Sequence, residues 1–344
     1  MLGTLAMAWL AARTCQALGT PLPWMIGPLL ATAAASTAGW EVRVAPGLRP
    51  AGQAIIGCAL GLYFTPDVVR LVGALAPALV AGIVWALLMA LAFSRLLARY
   101  TGDHGESAQA TAYFSAAIGG ASEMAVLAER HGARVDRVAA AHSLRLLIVV
   151  IVIPFAFQAS DLPALDSLPA AARGVDALGL AGLAALTAAG VLILAALRMP
   201  NPFMLGALMV SLVLTASDQH LSALPQALTD LGQLFIGVAL GSRFSPEFAR
   251  AAPRWLGAVA LGTLLMMGAS AGFAAVLAML VGLHPATVML GTSPGGIAEM
   301  CITAKVLQLG VPVVTAFHVT RYLAVLLLTA PLYQWARQRR AAAS

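Results

Sequence analysis

The chain has 344 residues, of which 60% are hydrophobic and only 10% charged, and its net charge is +6. Soluble domains carry about 25% charged residues, so most of this surface must meet lipid, which excludes a soluble enzyme or a DNA-binding domain. The positive balance comes from 19 Arg and the single Lys305, placed singly or in twos and threes between apolar runs. That is the pattern of short loops at a membrane surface, where basic residues set orientation, and it implies no nucleic-acid partner.

A bilayer core of about 30 Å needs about 20 mostly apolar helical residues. Twelve apolar segments are expected in chain order: 2–19, 22–39, 52–72, 74–99, 107–129 and 138–158, then 175–198, 202–217, 230–250, 254–282, 286–308 and 311–335. The sizeable polar connection between the two sets is 159–174, which holds Asp161 and Asp166. The first run starts at Met1 without a basic leader and more apolar segments follow, so no cleavable signal peptide is expected. Cys15, Cys58 and Cys301 lie far apart inside apolar runs and form no metal or redox pairing.

The two sets repeat each other. Gly52-Gln53 through Gly61 to Pro66 matches Gly232-Gln233 through Gly241 to Pro246 at nine of fifteen positions, at an offset of 180. Gly119-Gly120-Ala121-Ser122-Glu123-Met124 matches Gly295-Gly296-Ile297-Ala298-Glu299-Met300, and His142 to Arg145 matches His318 to Arg321, both at an offset of 176. Pro23 to Gly27 matches Pro202 to Gly206. The expected organisation is a first membrane repeat over 1–158, a polar linker over 159–174 and a second repeat over 175–340. An odd number of crossings per copy inverts the second copy and an even number does not. The glycine-rich Gly-Gln segment reads as either a full crossing or a re-entrant or broken element. With ten crossings the loop arginines gather on the side of both termini, which is then cytoplasmic; with twelve they favour neither side. The fold expected is an all-α polytopic membrane protein with two repeats of five to six transmembrane segments, inverted, and helices broken near the midplane.

Charged groups at membrane depth carry the functional reading, because each costs about 2.5–3.5 kcal/mol on insertion scales. Glu123, His142 and Arg145 recur as Glu299, His318 and Arg321 with the same spacings. His and Arg stand three apart and share a helical face. A structural Glu–Arg ion pair in each repeat and a substrate or proton site are both open readings, with His142 and His318 as titratable partners. Gly119-Gly120 and Thr292-Ser293-Pro294-Gly295-Gly296 interrupt matching segments, since Gly-Gly weakens a helix and Pro removes a donor. Paired interruptions of this kind point to a transporter binding site, to which Ser122, Thr292 and Ser293 would add hydroxyls; close helix packing by small residues is the alternative. Gln53 and Gln233 would cap a re-entrant turn, line the site or sit at an interface. No phosphate loop, nucleophile elbow or metal-ligand spacing is present, so no catalytic residue, cofactor or metal is expected.

The Gly-Gly-x-x-Glu-Met blocks at 119–124 and 295–300, with His-x-x-Arg at 142–145 and 318–321, resemble those of the AbrB duplication family of bacterial membrane proteins, also labelled an ammonia monooxygenase family or AbrB family regulator. The resemblance covers nearly the whole chain and implies a multi-pass protein of the bacterial inner membrane. More distantly, two inverted units with broken helices look like the fold of sodium/proton antiporters and bile-acid-type symporters. The leading expectation is therefore a secondary transporter of a small solute or ion, with proton or sodium handled by Glu123 and Glu299. The alternatives are a membrane sensor that affects gene expression indirectly and, as the monooxygenase label implies, a membrane oxidoreductase. Membrane lipid is the expected surrounding, and the reading admits a homo-oligomer.

Overall fold

The computed structural model describes residues 1–101, 105–160, 174–244 and 253–341. Most of the expected linker, including Asp161 and Asp166, lies outside the described residues, as do Ser245-Pro246 at the end of the second Gly-Gln block. The described residues are all-α and free of strands. Long helices such as Ala177–Ala196 and Pro253–Val281 leave large apolar side chains bare, with Leu178 84% and Met279 83% exposed. Such side chains are stable against hydrocarbon and costly against water, so the chain is a polytopic membrane protein.

The helices group into two compact units, and each draws on both halves of the sequence. The first unit comprises residues 1–74, 151–249 and 298–313. It contains α1 (Leu2–Ala17), α2 (Pro23–Thr37), α3 (Leu48–Gly61), α4 (Pro66–Ala74), α9 (Ala177–Ala196), α10 (Pro202–Ala216) and α11 (Gln226–Gly241). Pro23 and Pro202 each occupy the first turn of their helix, where a missing N–H costs nothing.

Glycines decide the packing of this unit. A Cβ on Gly57 of α3 would strike the Met204 carbonyl of α10, and one on Gly61 would lie 2.6 Å from the Leu208 carbonyl. In the same way, Gly237 and Gly241 of α11 face the Met25 and Leu29 carbonyls of α2. A Cβ on Gly52 would lie 2.8 Å from the Gly232 carbonyl, so α3 and α11 meet at the two Gly-Gln steps. The repeated glycines therefore serve close helix approach across the two sequence halves. Gln53 and Gln233 sit inside α3 and α11 and cap no turn, the former half-buried and the latter buried. The chain bends by 92° between α3 and α4, so the segment expected at 52–72 is broken.

The second unit comprises residues 75–150, 250–297 and 314–344. It contains α5 (Ala76–Thr101), α6 (Glu106–Ala116), α7 (Ala121–Arg130), most of α8 (Val135–Ala159), α12 (Pro253–Val281), α13 (Pro285–Thr292) and most of α15 (Val311–Ala341); α14 (Ile297–Val306) starts at its edge. Its core packs Phe93 and Leu97 of α5 against Trp255, Val259 and Met266 of α12. Among the described residues, five helices (α5, α8, α9, α12 and α15) are long and apolar enough to cross a bilayer, or six spans if the bent α3–α4 pair counts as one. The shortfall against twelve expected segments has a simple cause. Helices of 14 to 16 residues, such as α1, α2, α3, α10 and α11, reach only about 21–24 Å at 1.5 Å per residue, and two further segments are broken in half.

Candidate functional site

Both expected interruptions are present. α6 ends at Ala116 and α7 begins at Ala121; α13 ends at Thr292 and α14 begins at Ile297. Each half-helix ends in an extended residue, Ala117 at ψ 132° and Ser293 at ψ 150°. The glycines are not left-handed here, since neither pair has a positive φ. At the first break they save space. A Cβ on Gly119 would lie 3.2 Å from Val325, and one on Gly120 would lie 3.2 Å from Tyr322 and collide with the Glu123 carboxylate.

A broken helix leaves carbonyls unpaired at the end of one half and amides at the start of the next. The His-x-x-Arg pairs supply the carbonyl ends. Arg145 of α8 donates to the carbonyls of Ser115 (3.2 Å), Ala116 (3.4 Å) and Ala117 (3.0 Å). Arg321 of α15 donates to the carbonyls of Ser293 and Gly295, the latter at 2.7 Å. Each guanidinium also donates to Nδ1 of its histidine, at 2.9 Å on His142 and 2.8 Å on His318. Arginine has no acceptor, so Nδ1 must carry the lone pair. The other nitrogen, Nε2, then donates to Phe114 O (2.9 Å) or Leu290 O (2.8 Å), in each case 28 residues upstream. Both histidines are thereby held as the neutral tautomer with each ring nitrogen occupied.

This arrangement corrects the pairing expected in the first repeat. Among the described residues no ion pair joins Glu123 to Arg145, and His142 and His318 are bracing groups between an arginine and a carbonyl. The charges are met by helix ends instead. A cation sits at the negative C-terminal end of each first half-helix, while Glu123 and Glu299 lie in the first turn of the second half-helices, at their positive ends. Each such placement stabilises by about 0.3–1 kcal/mol, and up to ~2 kcal/mol when partly buried.

The carboxylates find different surroundings. Glu123 is half-buried, and the hydroxyl of Tyr322 donates to its Oε1 at 3.0 Å. Nothing in the sequence pattern pointed to Tyr322, because its counterpart at the offset of 176 is Leu146. Beside Glu123, Ser122 is exposed, and no hydrogen bond reaches the Ile118 or Gly119 carbonyl among the described residues. Glu299 is 6% exposed and belongs to the first compact unit, as do Gln53 and Gln233. The second unit thus gathers Gly119, Gly120, Ser122, Glu123, His142 and Arg145 with Thr292, Ser293, Pro294, Gly295, Gly296, His318 and Arg321. Around the second break, Ser270 of α12 donates to the Thr292 carbonyl at 3.5 Å, so three of its carbonyls are held by side chains. Two atoms at the first break remain buried without a partner among the described residues, Ser115 Oγ and Arg145 Nε.

A family model described as "Transition state regulatory protein AbrB" matches residues 24–337. A protein of Bacillus subtilis (strain 168) named "Uncharacterized protein YhjN" is 26% identical over 342 residues, covering 92% of this chain and 88% of the relative. A protein of Escherichia coli (strain K12) named "Putative regulator AbrB" is 25% identical over 311 residues, covering 89% and 88%. No solved structure matches. The match takes in both breaks and both His-x-x-Arg pairs, and the chain belongs to the AbrB family.

Proposed function

We propose that this protein is a secondary transporter of the bacterial inner membrane that moves a small solute or ion, with a proton or sodium ion exchanged at the first break. The observation that carries the reading is the contrast inside that break. The carbonyls of residues 115–117 are locked by Arg145, while those of Ile118 and Gly119 stay open beside the half-buried Glu123. Open carbonyls and a carboxylate at an unwound segment are the ligands that transporters present to cations. Arg145 and Arg321 brace the backbone in this reading and do not hold substrate. The reading includes inverted copies over 1–158 and 175–340, no enzymatic step and no cofactor.

The test is flux in proteoliposomes under an imposed proton or sodium gradient. Wild-type protein should dissipate the gradient, and Glu123→Gln should retain its gel-filtration profile and lose flux. A Glu123→Gln and Glu299→Gln double variant with full activity would remove both carboxylates from the mechanism. The family description and the name of the Escherichia coli relative favour a second reading, a membrane regulator acting indirectly. It is favoured if a metabolite raises the melting temperature while no metabolite or ion crosses.

A further inference from the structure

Helix α15 touches both breaks of the second unit. One face carries Phe317, His318 and Arg321. Phe317 lies 3.0 Å from the position a Cβ would take on Gly291 of α13, His318 is bonded to Leu290, and Arg321 holds Ser293 and Gly295. The adjacent face carries Tyr322 and Val325 against Glu123, Gly120 and Gly119. Arg321 and Tyr322 are chain neighbours, so the two breaks are joined through one helical step of about 1.5 Å. At the matching position of the first half α8 carries Leu146, which has no hydroxyl to offer a carboxylate.

A hydroxyl binds a charged carboxylate more strongly than a neutral one, so such a bond weakens when the carboxylate is neutralised. Neutralising Glu123, by a proton or a bound cation, therefore loosens the hold of Tyr322 on the first break. Tyr322 adjoins Arg321 in α15, so a displacement of the helix backbone at Tyr322 carries with it the group that holds the Ser293 and Gly295 carbonyls. Packed elements pass small displacements on as changes of state, and the second break is buried at Thr292 and Ser293.

We infer that Tyr322 is a positioning residue that couples the charge of Glu123 to the conformation of the second break. The inference rests on the proposed site at the first break, but its test does not require transport. Hydrogen exchange of the amides at Ser293, Gly295, Gly296 and Ile297 is measured in the full chain in detergent, for wild type and for Glu123→Gln. Site-to-site couplings typically span about 5- to 150-fold, so the substitution should change exchange at these amides by about fivefold or more. In a Tyr322→Phe background the same change should fall below about twofold. An equal change in both backgrounds, or none in either, overturns the inference.

Glu123→Asp gives an independent arm should Tyr322→Phe fold poorly. It keeps the charge and withdraws the carboxylate from the hydroxyl, so it should match Glu123→Gln at the second break; exchange like that of wild type would show that Tyr322 is not the link. Coupling without flux in proteoliposomes would sink the transport reading alone, and flux without coupling would sink this inference alone.

Discussion

The two broken helices share one register and differ in what lies beside it. In both, a histidine reaches a carbonyl 28 residues upstream, and the arginine three residues later takes the carbonyls that follow. The second break is closed further by Ser270, and Ser293 is only 1% exposed. The first is half-exposed at Gly119, Gly120 and Glu123, and Ser122 is open. The comparison separates two jobs that look like one in the sequence. His-x-x-Arg satisfies the carbonyls that a buried helix break leaves unpaired, and the surroundings decide which break keeps polar groups uncovered.

The arginines test the shared part most severely. Arg321→Met orphans two buried carbonyls and a histidine nitrogen, and an orphaned buried group costs about 1–3 kcal/mol. A loss of roughly 3 kcal/mol or more is expected, read as a fall in melting temperature and in yield of monodisperse protein. Arg145→Met should behave alike, since three carbonyls depend on it. A large loss for one and none for the other would break the idea of a common register.

The unshared part is tested by access. In a Cys15→Ser background, which leaves only the buried Cys58 and Cys301, Ser122→Cys should react with a soluble maleimide at least ~10-fold faster than Ser293→Cys, because thiol reactivity follows exposure. Equal rates would mean that the two breaks are equally open.

Gly120→Ala sharpens the comparison at one atom. Its Cβ would occupy the place of the Glu123 carboxylate, so the side chain must change rotamer at about 0.5–1.5 kcal/mol. Flux should fall well below wild type with little change in melting temperature, whereas wild-type flux would show that the position of Glu123 does not matter. The smallest effect is expected for Leu146→Met, which mirrors Tyr322 in the first half and bears no bond to a carboxylate: stability within about 1.5 kcal/mol, as for volume-conserving swaps, and unchanged flux. Lost flux there would mean that the first half has a bridge of its own.

Much of this was legible in the chain. An apolar composition dictates a lipid-facing helical protein, Gly-Gly and Pro-Gly-Gly place the breaks within a few residues, and a spacing of three puts His and Arg on one face. Those are local rules, set by the helical period and by the cost of unpaired polar groups in hydrocarbon. They also left a structural ion pair open in each half, and in the first half Arg145 serves backbone carbonyls instead. An unwound backbone is not visible as a set of acceptors until its dihedrals are known.

What only the tertiary structure decided is which distant helix comes next to each group. Gly57 and Gly61 admit α10 and Gly237 and Gly241 admit α2, so the compact units mix the sequence halves, and the glycines of the Gly-Gln blocks become contact points between helices. Tyr322 meets Glu123 across 199 residues of chain, a juxtaposition that no periodicity encodes. Sequence by itself determines where the backbone must break and which charges must be met; the packing of helices, which depends on shape at each close approach, determines which break leaves its carboxylate half-exposed and which buries it.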